Sequence, residues 1–334
     1  MSNKENNQNN KKLQKIYKEV NSVLLQSRNV LITAHKKPDT DALGSVFSLA
    51  QYLNFLGKKY LIFLDQYDNF YNNLPFLNFF DVLKDKDHIP WKEIDLAVVL
   101  DSGDLERSGI VEKKENIPAH LNIVNIDHHI SNNYFGKINL VESSASSTTE
   151  ILAKFFKNIG FKISKEVATA LLAGILADTD NFSNKGTSRE SFDVAADLLK
   201  QGANINKINH HNRNNHQLDA LKLWGKLFQR LGKNKKYGSV YTVITKEELK
   251  ISQEKKLSDK VEDLVNFLNN LKDSRFSMVL KEYEDEIKVS LRTTKDNIDV
   301  SRLALFFGGG GHKKAAGFSI KGKLAKTKSG WKII

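Results

Sequence analysis

The chain contains no cysteine among its 334 residues. This absence excludes disulfide bonds, thiolate metal sites and a cysteine nucleophile, and it suits a reducing compartment. Its longest apolar stretch, Ala168–Ala177, has about half the length that a bilayer-spanning helix needs. The polar N-terminus has no apolar segment typical of an export signal. We therefore expect a soluble, cytoplasmic protein without a membrane partner.

Acidic residues are missing from the last part of the chain. No Asp or Glu follows Asp299, whereas eight Lys or Arg do. Residues 1–200 carry 24 basic and 25 acidic side chains, and residues 201–334 carry 27 and 14. A basic half attracts phosphates, although composition alone favours a solvated lysine-rich surface.

The first half alternates short apolar runs with helical patterns, which predicts a parallel sheet between helices. The predicted strands are Asn29–Ala34, Tyr60–Leu64, Leu96–Leu100 and Asn122–Ile126. The predicted helices are Asp41–Leu56, Ser147–Asn158, Ser164–Leu176 and Ser188–Lys200. Ser147 and Glu150 have the spacing of a capping box. The first ten residues are predicted to be disordered.

The second half has a different pattern, which predicts a smaller α/β domain. Strands are expected at Gly238–Ile244, Phe276–Leu280 and Ile287–Leu291, with an amphipathic helix at Leu257–Leu271. The predicted organisation is a catalytic domain over 12–202, a helical connector over 203–235 and a second domain over 236–334.

Acidic and imidazole side chains follow three of the predicted strands. These are His35, Asp39, Asp41, Asp101, Asp127, His128 and His129, and Asp178 lies near a helix end. The carboxyl ends of parallel strands meet at one edge, where ligands bind. Carboxylates with imidazoles suit hard or borderline cations, and Mn²⁺ is favoured over Mg²⁺ where His joins Asp. The set is large enough for two metals, an arrangement used in phosphoryl displacement.

These motifs resemble those of the DHH phosphoesterase superfamily. The matching residues are His35-x-x-x-Asp39-x-Asp41, Asp101, Asp127-His128-His129 and Asp178-Thr179-Asp180-Asn181-Phe182. The segment from Phe307 to Phe318 is similar to the hallmark of the DHH-associated C-terminal domain. The resemblance implies two such domains with an active-site cleft between them. The pair of domains is similar to the stand-alone nano-RNase/pAp phosphatase group, which degrades very short RNA and dephosphorylates adenosine 3′,5′-bisphosphate (pAp).

The resemblance also implies roles for individual residues. His35 and Asp39 would bind one metal, Asp41, His128 and Asp178 the other, and Asp101 would bridge both. His129 would act on the leaving oxygen, and Asp127 would orient a neighbouring His. The implied substrate-binding residues are Arg292, Gly308, Gly309, Gly310, Gly311 and His312. The four glycines would present backbone N–H groups to a phosphate.

Several points stay open at the level of sequence. Arg107 either touches a substrate phosphate or forms a salt bridge. Asp180 stands where the family commonly has a small residue, and His210, His211 and His216 fit a solvated helix better than a metal site. Alternative functions are a cyclic or linear dinucleotide phosphodiesterase, a RecJ-like exonuclease on single-stranded RNA or DNA, and a non-catalytic nucleic-acid-binding protein. The oligomeric state is open, a homodimer included.

Overall fold

The computed structural model describes residues 3–66, 82–83, 86–110, 118–119, 121–214, 218–254, 261, 264–265, 267–268, 271, 274–327 and 330–334. The chain forms two compact units, residues 1–215 and 216–334. The division falls inside the predicted connector. Within the described residues, no helix combines the length and the apolar character needed to cross a bilayer.

Unit 1 is an α/β unit built on one parallel sheet. Its strands are β1 (Asn29–Ala34), β2 (Lys59–Phe63), β3 (Val82–Leu83), β4 (Leu96–Leu100), β5 (Asn122–Asp127) and β6 (Ile138–Val141). Its helices are α1 (Asn3–Gln26), α2 (Thr40–Phe55), α3 (Thr148–Asn158), α4 (Lys165–Asp178), α5 (Arg189–Lys200) and α6 (Ile205–Asn214). All neighbouring strands run parallel, which confirms the predicted parallel sheet.

The strand order of this sheet is β3-β2-β1-β4-β5-β6. The order reverses between β1 and β4, whose last residues Ala34 and Leu100 are register partners. Ligands bind at such a reversal, outside the carboxyl ends of the strands. His35 follows β1 and Asp101 follows β4, so the fold brings two of the predicted ligands to this point.

The sheet is buried on both faces. On β1, Val30 and Ile32 belong to a core shared with α2, α3 and α4, whereas Leu31 belongs to a second core on the other side. This two-sided burial explains why the strands are continuous β-branched runs rather than alternating ones.

The N-terminus differs from expectation. It is helical from Asn3 onwards, within the segment that was predicted to be disordered. Tyr17, Val20 and Leu24, spaced three and four residues apart, are buried in the unit 1 core. This apolar stripe anchors α1, and it lies beyond the polar segment on which the prediction of disorder was based.

Unit 2 contains a mixed sheet of order β11-β12-β10-β9-β8-β7, as expected for a smaller α/β unit. Its elements are α7 (Leu218–Gln229), β7 (Gly232–Asn234), β8 (Ser239–Ile244), α8 (Lys246–Glu254), β9 (Phe276–Glu282), β10 (Glu286–Arg292), α9 (Val300–Phe306), β11 (Gly310–His312) and β12 (Ala315–Lys321), followed by the hairpin β13 (Leu324–Thr327) and β14 (Gly330–Ile333). Much of the predicted helix at 257–271 lies outside the described residues. Its apolar side chains Val261, Leu264, Val265 and Leu268 are buried.

Candidate metal centre

Three groups of donor atoms converge at the carboxyl edge of the unit 1 sheet. They are His35 with Asp39 and Asp101, Asp41 with His128 and Asp178, and Asp101 with His128 and His129. Within each group the donor atoms all lie within 4.8 Å of one another. The structure thus brings together the six predicted ligands, which are spread over more than 140 positions of the chain.

Asp101 lies at the centre of these groups. Its Oδ2 is 3.5 Å from His35 Nε2, and its Oδ1 is 3.6 Å from His128 Nε2. Its backbone is left-handed, with φ at 53°, a conformation that strains most residues other than glycine and is concentrated at functional sites. A carboxylate with one oxygen toward each group suits the bridging role implied for Asp101.

The β1–α2 loop presents His35 and Asp39. His35 Nδ1 donates a hydrogen bond to the Lys36 carbonyl at 2.8 Å, which leaves Nε2 as the ligand atom. Asp39 is the N-cap of α2, and its Oδ1 accepts hydrogen bonds from the N–H groups of Asp41 and Ala42 at 3.0 and 3.1 Å. Asp39 therefore combines the ordinary capping role with membership of a donor group.

Asp41 is held by the N-terminus of α3. Its Oδ2 accepts from Thr148 N–H at 2.7 Å, and its Oδ1 accepts from Thr149 N–H at 2.9 Å and Thr149 Oγ1 at 2.6 Å. The Thr148 hydroxyl also donates to Asp101 at 2.9 Å. Sequence analysis did not assign Thr148 and Thr149 to the site, and the signal available was the Ser147–Glu150 helix-start motif.

That motif is only partly a capping box. Ser147 is the N-cap, and its side chain accepts from Glu150 N–H. The Glu150 carboxylate, however, accepts from Ser146 N–H and Oγ at 2.9 and 2.6 Å. The reciprocal bond is therefore shifted by one residue from the predicted pattern.

His129 is oriented by a chain of hydrogen bonds. Its Nδ1 donates to Asp127 Oδ1 at 2.7 Å, and Asp127 Oδ2 accepts from Asn132 Nδ2 at 2.6 Å. Because Nδ1 is used in this way, Nε2 is free to act on a substrate. Asn132, which sequence analysis did not single out, also donates to Asn125 Oδ1 and to the Ser102 carbonyl.

The electrostatics of the centre favour a cation. Burial, followed by the charges of Asp101 and Asp178, raises the pKa of Asp41 well above its usual value, and burial also raises the pKa of Asp178. Burial alone would lower the pKa of His35 and of His128, but nearby carboxylates raise them to about 11 and about 10. Metal binding requires deprotonated ligands, so divalent cations compete with protons for these donor atoms. The donor set therefore fits a metal.

His129 and Asp127 shift each other's pKa. The hydrogen bond that His129 donates to Asp127 raises the pKa of His129 despite burial. Burial of Asp127 is outweighed by His129 and Asn132, which lower the pKa of that carboxyl. An imidazolium beside a buried carboxylate is suited to donating a proton.

Two of the candidate substrate residues of unit 2, Arg292 and His312, lie at one level of its sheet. Ala315 is the register partner of both Arg292 on β10 and His312 on β11. The last part of the glycine tract, Gly310–His312, forms an edge strand of this sheet. Gly308 has φ at 74°, and a Cβ on Gly309 or Gly311 would lie within 2.2 or 2.5 Å of the neighbouring strand β12. Three of the four glycines are thus required by the local fold.

The histidines of the connector stay untested. The side chains of His210 and His211 lie outside the described residues, as does all of His216. Asp180 is exposed, has φ at 49° and accepts from Ser183 Oγ at 3.1 Å. It belongs to none of the three donor groups.

Two family matches cover most of both units. Residues 29–175 match the DHH family, N-terminal domain, and residues 240–329 match the DHHA1 domain. The chain belongs to the DHH family. Phosphoesterases of this family depend on metals, in agreement with the donor groups described above.

The relatives agree with this assignment. The chain is 28% identical, over 88% of its length and 84% of the relative, to the bifunctional oligoribonuclease and PAP phosphatase NrnA of Thermus thermophilus. It is 26% identical, over 87% of its length and 89% of the relative, to the Bacillus subtilis protein of the same name. An exopolyphosphatase-related protein from Bacteroides fragilis matches in structure with a TM-score of 0.77, 26% identity and coverage of 91% of both chains.

Proposed function

We propose that this chain is a metal-dependent phosphoesterase that degrades very short RNA to mononucleotides and dephosphorylates pAp. The observation that carries the proposal is the convergence of three donor groups on the switch point of the unit 1 sheet, with Asp101 shared between two of them. The relatives that match over most of the chain are named as oligoribonuclease and PAP phosphatase. This favours the proposal over a RecJ-like exonuclease or a dinucleotide phosphodiesterase. The donor groups argue against a non-catalytic binding protein.

The candidate ligands of unit 1 would hold two cations. His35 and Asp39 would hold one cation, Asp41, His128 and Asp178 a second, and Asp101 would bridge them. We propose Mn²⁺, because imidazole joins carboxylate in both groups. When bound, the metals supply Lewis-acid stabilisation of the phosphoryl group and activation of water.

His129 and Asp127 would complete the reaction. Asp127 fixes the tautomer of His129 through the 2.7 Å bond to Nδ1. In the imidazolium form, Nε2 of His129 also carries a proton, which can pass to the leaving oxygen in a general-acid step that contributes about 10²–10⁴-fold in comparable enzymes. In unit 2, Arg292 and His312 would bind an anionic group of the substrate, together with Gly308, Gly309, Gly310 and Gly311. The lack of cysteine supports the cytoplasm as the place of action.

The test is a product time course with Mn²⁺, and separately with Mg²⁺, on dinucleotides, longer RNAs, pAp and cyclic dinucleotides. Mononucleotides from dinucleotides, and AMP from pAp, are the expected products. An Asp101→Ala variant that keeps the wild-type circular dichroism spectrum should lose activity by several orders of magnitude. Preferred cleavage of long strands or of cyclic dinucleotides would favour the corresponding alternative, and wild-type turnover by Asp101→Ala would reject the two-metal assignment.

A further inference from the structure

Three exposed cationic residues, Lys36, Lys37 and Arg107, lie beside the candidate metal centre on unit 1. We call them the cationic rim. Lys36 and Lys37 follow His35 directly in the β1–α2 loop, and Arg107 lies on the segment that leaves β4 after Asp101. The rim thus comes from the two segments that flank the switch point of the sheet.

The backbone of Arg107 is fixed against the loop that carries His35. Its carbonyl accepts a hydrogen bond from Lys36 N–H at 2.6 Å, and its own N–H donates to Asp104 Oδ1 at 2.8 Å. Arg107 is part of a 3₁₀ turn, Glu106–Ser108, which ends at Gly109 with φ at 75°. The backbone of Arg107 therefore has a fixed position next to the loop that carries the candidate metal ligand His35.

Among the described residues, the guanidinium group of Arg107 has no carboxylate partner, although acids are near in sequence. Asp104 and Glu106 lie on the same segment, yet within the described residues no carboxylate is within 4.0 Å of the Arg107 guanidinium or of the Lys37 ammonium. Asp65 lies 4.0 Å from the ammonium of Lys36. The salt bridge that sequence analysis left open for Arg107 is therefore not formed among these residues, and its planar donors are available to an anion.

We propose that the cationic rim binds a second phosphate of the substrate, one nucleoside away from the phosphate that is hydrolysed. This proposal rests on the proposed function. The residues of the candidate metal centre would hold the cations that bind the scissile phosphate, and both pAp and a short oligonucleotide carry a further phosphate across the ribose. A guanidinium fork binds phosphate through two parallel hydrogen bonds, and the lysines add point charges. The rim would thereby select nucleotides with two phosphates over those with one.

The experiment compares pAp with adenosine 3′-monophosphate, which has the same scissile group but lacks the 5′-phosphate. Arg107→Ala should lower kcat/KM for pAp by about tenfold to hundredfold, mainly through KM, because a charge-assisted contact is lost. Its effect on the monophosphate should be below about threefold, and metal content should be unchanged. Arg107→Lys should be intermediate, since it keeps the charge and loses the fork.

The matched control is Arg28→Ala. Arg28 is also exposed but precedes β1, so it lies at the opposite edge of the sheet from His35. It should leave both substrates unaffected. Equal losses of kcat/KM on both substrates in Arg107→Ala would show that Arg107 only positions the β1–α2 loop. Unchanged kcat/KM on both substrates would show that its side chain is merely solvated. Either result overturns the proposal.

Failure of the proposed function would be seen separately, as absence of turnover by the wild type. In that case the rim is tested by calorimetric titration of the metal-loaded protein with AMP and with adenosine. A preference for AMP that Arg107→Ala reduces, and Arg28→Ala does not, supports the rim. An equal preference in all three proteins contradicts it.

Discussion

Gly174 on α4 has no room for a side chain beside Asp41. A Cβ at this position would lie 2.6 Å from Asp41 Oδ1 and 2.4 Å from Thr149 Oγ1, whereas ordinary contact begins at 3.4 Å. The helices cannot separate freely, because a Cβ on Gly44 of α2 would likewise lie 2.7 Å from the Ala170 carbonyl of α4. We predict that Gly174→Ala displaces the Asp41 carboxylate by about 0.8 Å, the shortfall from that contact distance.

The displacement should affect the metal more than the fold. Metal–ligand distances tolerate only about ±0.2 Å, and a 1 Å misplacement costs about 10²-fold in rate. Overpacking costs about 1–3 kcal/mol of unfolding free energy, partly offset by the roughly 1 kcal/mol that alanine gains over glycine in a helix. We therefore expect a folded variant with weakened metal binding and about a hundredfold lower kcat at subsaturating Mn²⁺.

The assays are metal content after dialysis against defined Mn²⁺, activity as a function of Mn²⁺, and thermal unfolding. Gly225→Ala on α7 is the control, because nothing lies within 4 Å of a Cβ there. It should raise the unfolding free energy by up to about 1 kcal/mol and leave metal binding unchanged. A folded Gly174→Ala protein with wild-type metal affinity and activity would refute the reasoning.

Two further predictions concern individual side chains. His128→Ala should lower both metal content and kcat, whereas His129→Ala should lower kcat by about 10²–10⁴-fold with metal retained; equal metal loss in the two purified variants would reject the separate roles. Arg292→Ala should lower kcat/KM about tenfold to hundredfold through a lost charge-assisted contact with metal content unchanged; an unaffected variant would remove Arg292 from the substrate site.

The parallel sheet could be predicted because its strands are buried on both faces and are therefore continuous apolar runs. β3 and β6, by contrast, have two and four residues, too few for a pattern to be recognised. Helix α1 was missed because its first residues are polar, while its buried stripe of Tyr17, Val20 and Leu24 begins later. Helices and strands were thus predicted best where most of their side chains are buried, because buried side chains create the hydrophobic pattern from which an element is recognised.

The ligands were predictable for another reason, namely that they follow strand ends directly. The sheet fixes the backbone position of a residue that directly follows a strand. His35, Asp101 and His128 could therefore be placed in one site without knowledge of side-chain conformations. Thr148, Thr149 and Asn132 could not be grouped in this way. Their positions depend on how α3 and the segment after β5 pack against the sheet.

The helix start at Ser147–Glu150 shows why the residues that hydrogen-bond to the candidate ligands matter. A fully buried carboxylate such as Asp41 is costly to ionise unless its oxygens accept hydrogen bonds. Three donors from Thr148 and Thr149 meet this need, and the N-terminal end of the helix dipole adds to it. The same threonines tie Asp41 to Asp101 through the Thr148 hydroxyl. A motif that in sequence only begins a helix therefore fixes the relative position of two candidate ligands, and the small residue Gly174 keeps the space in which they meet.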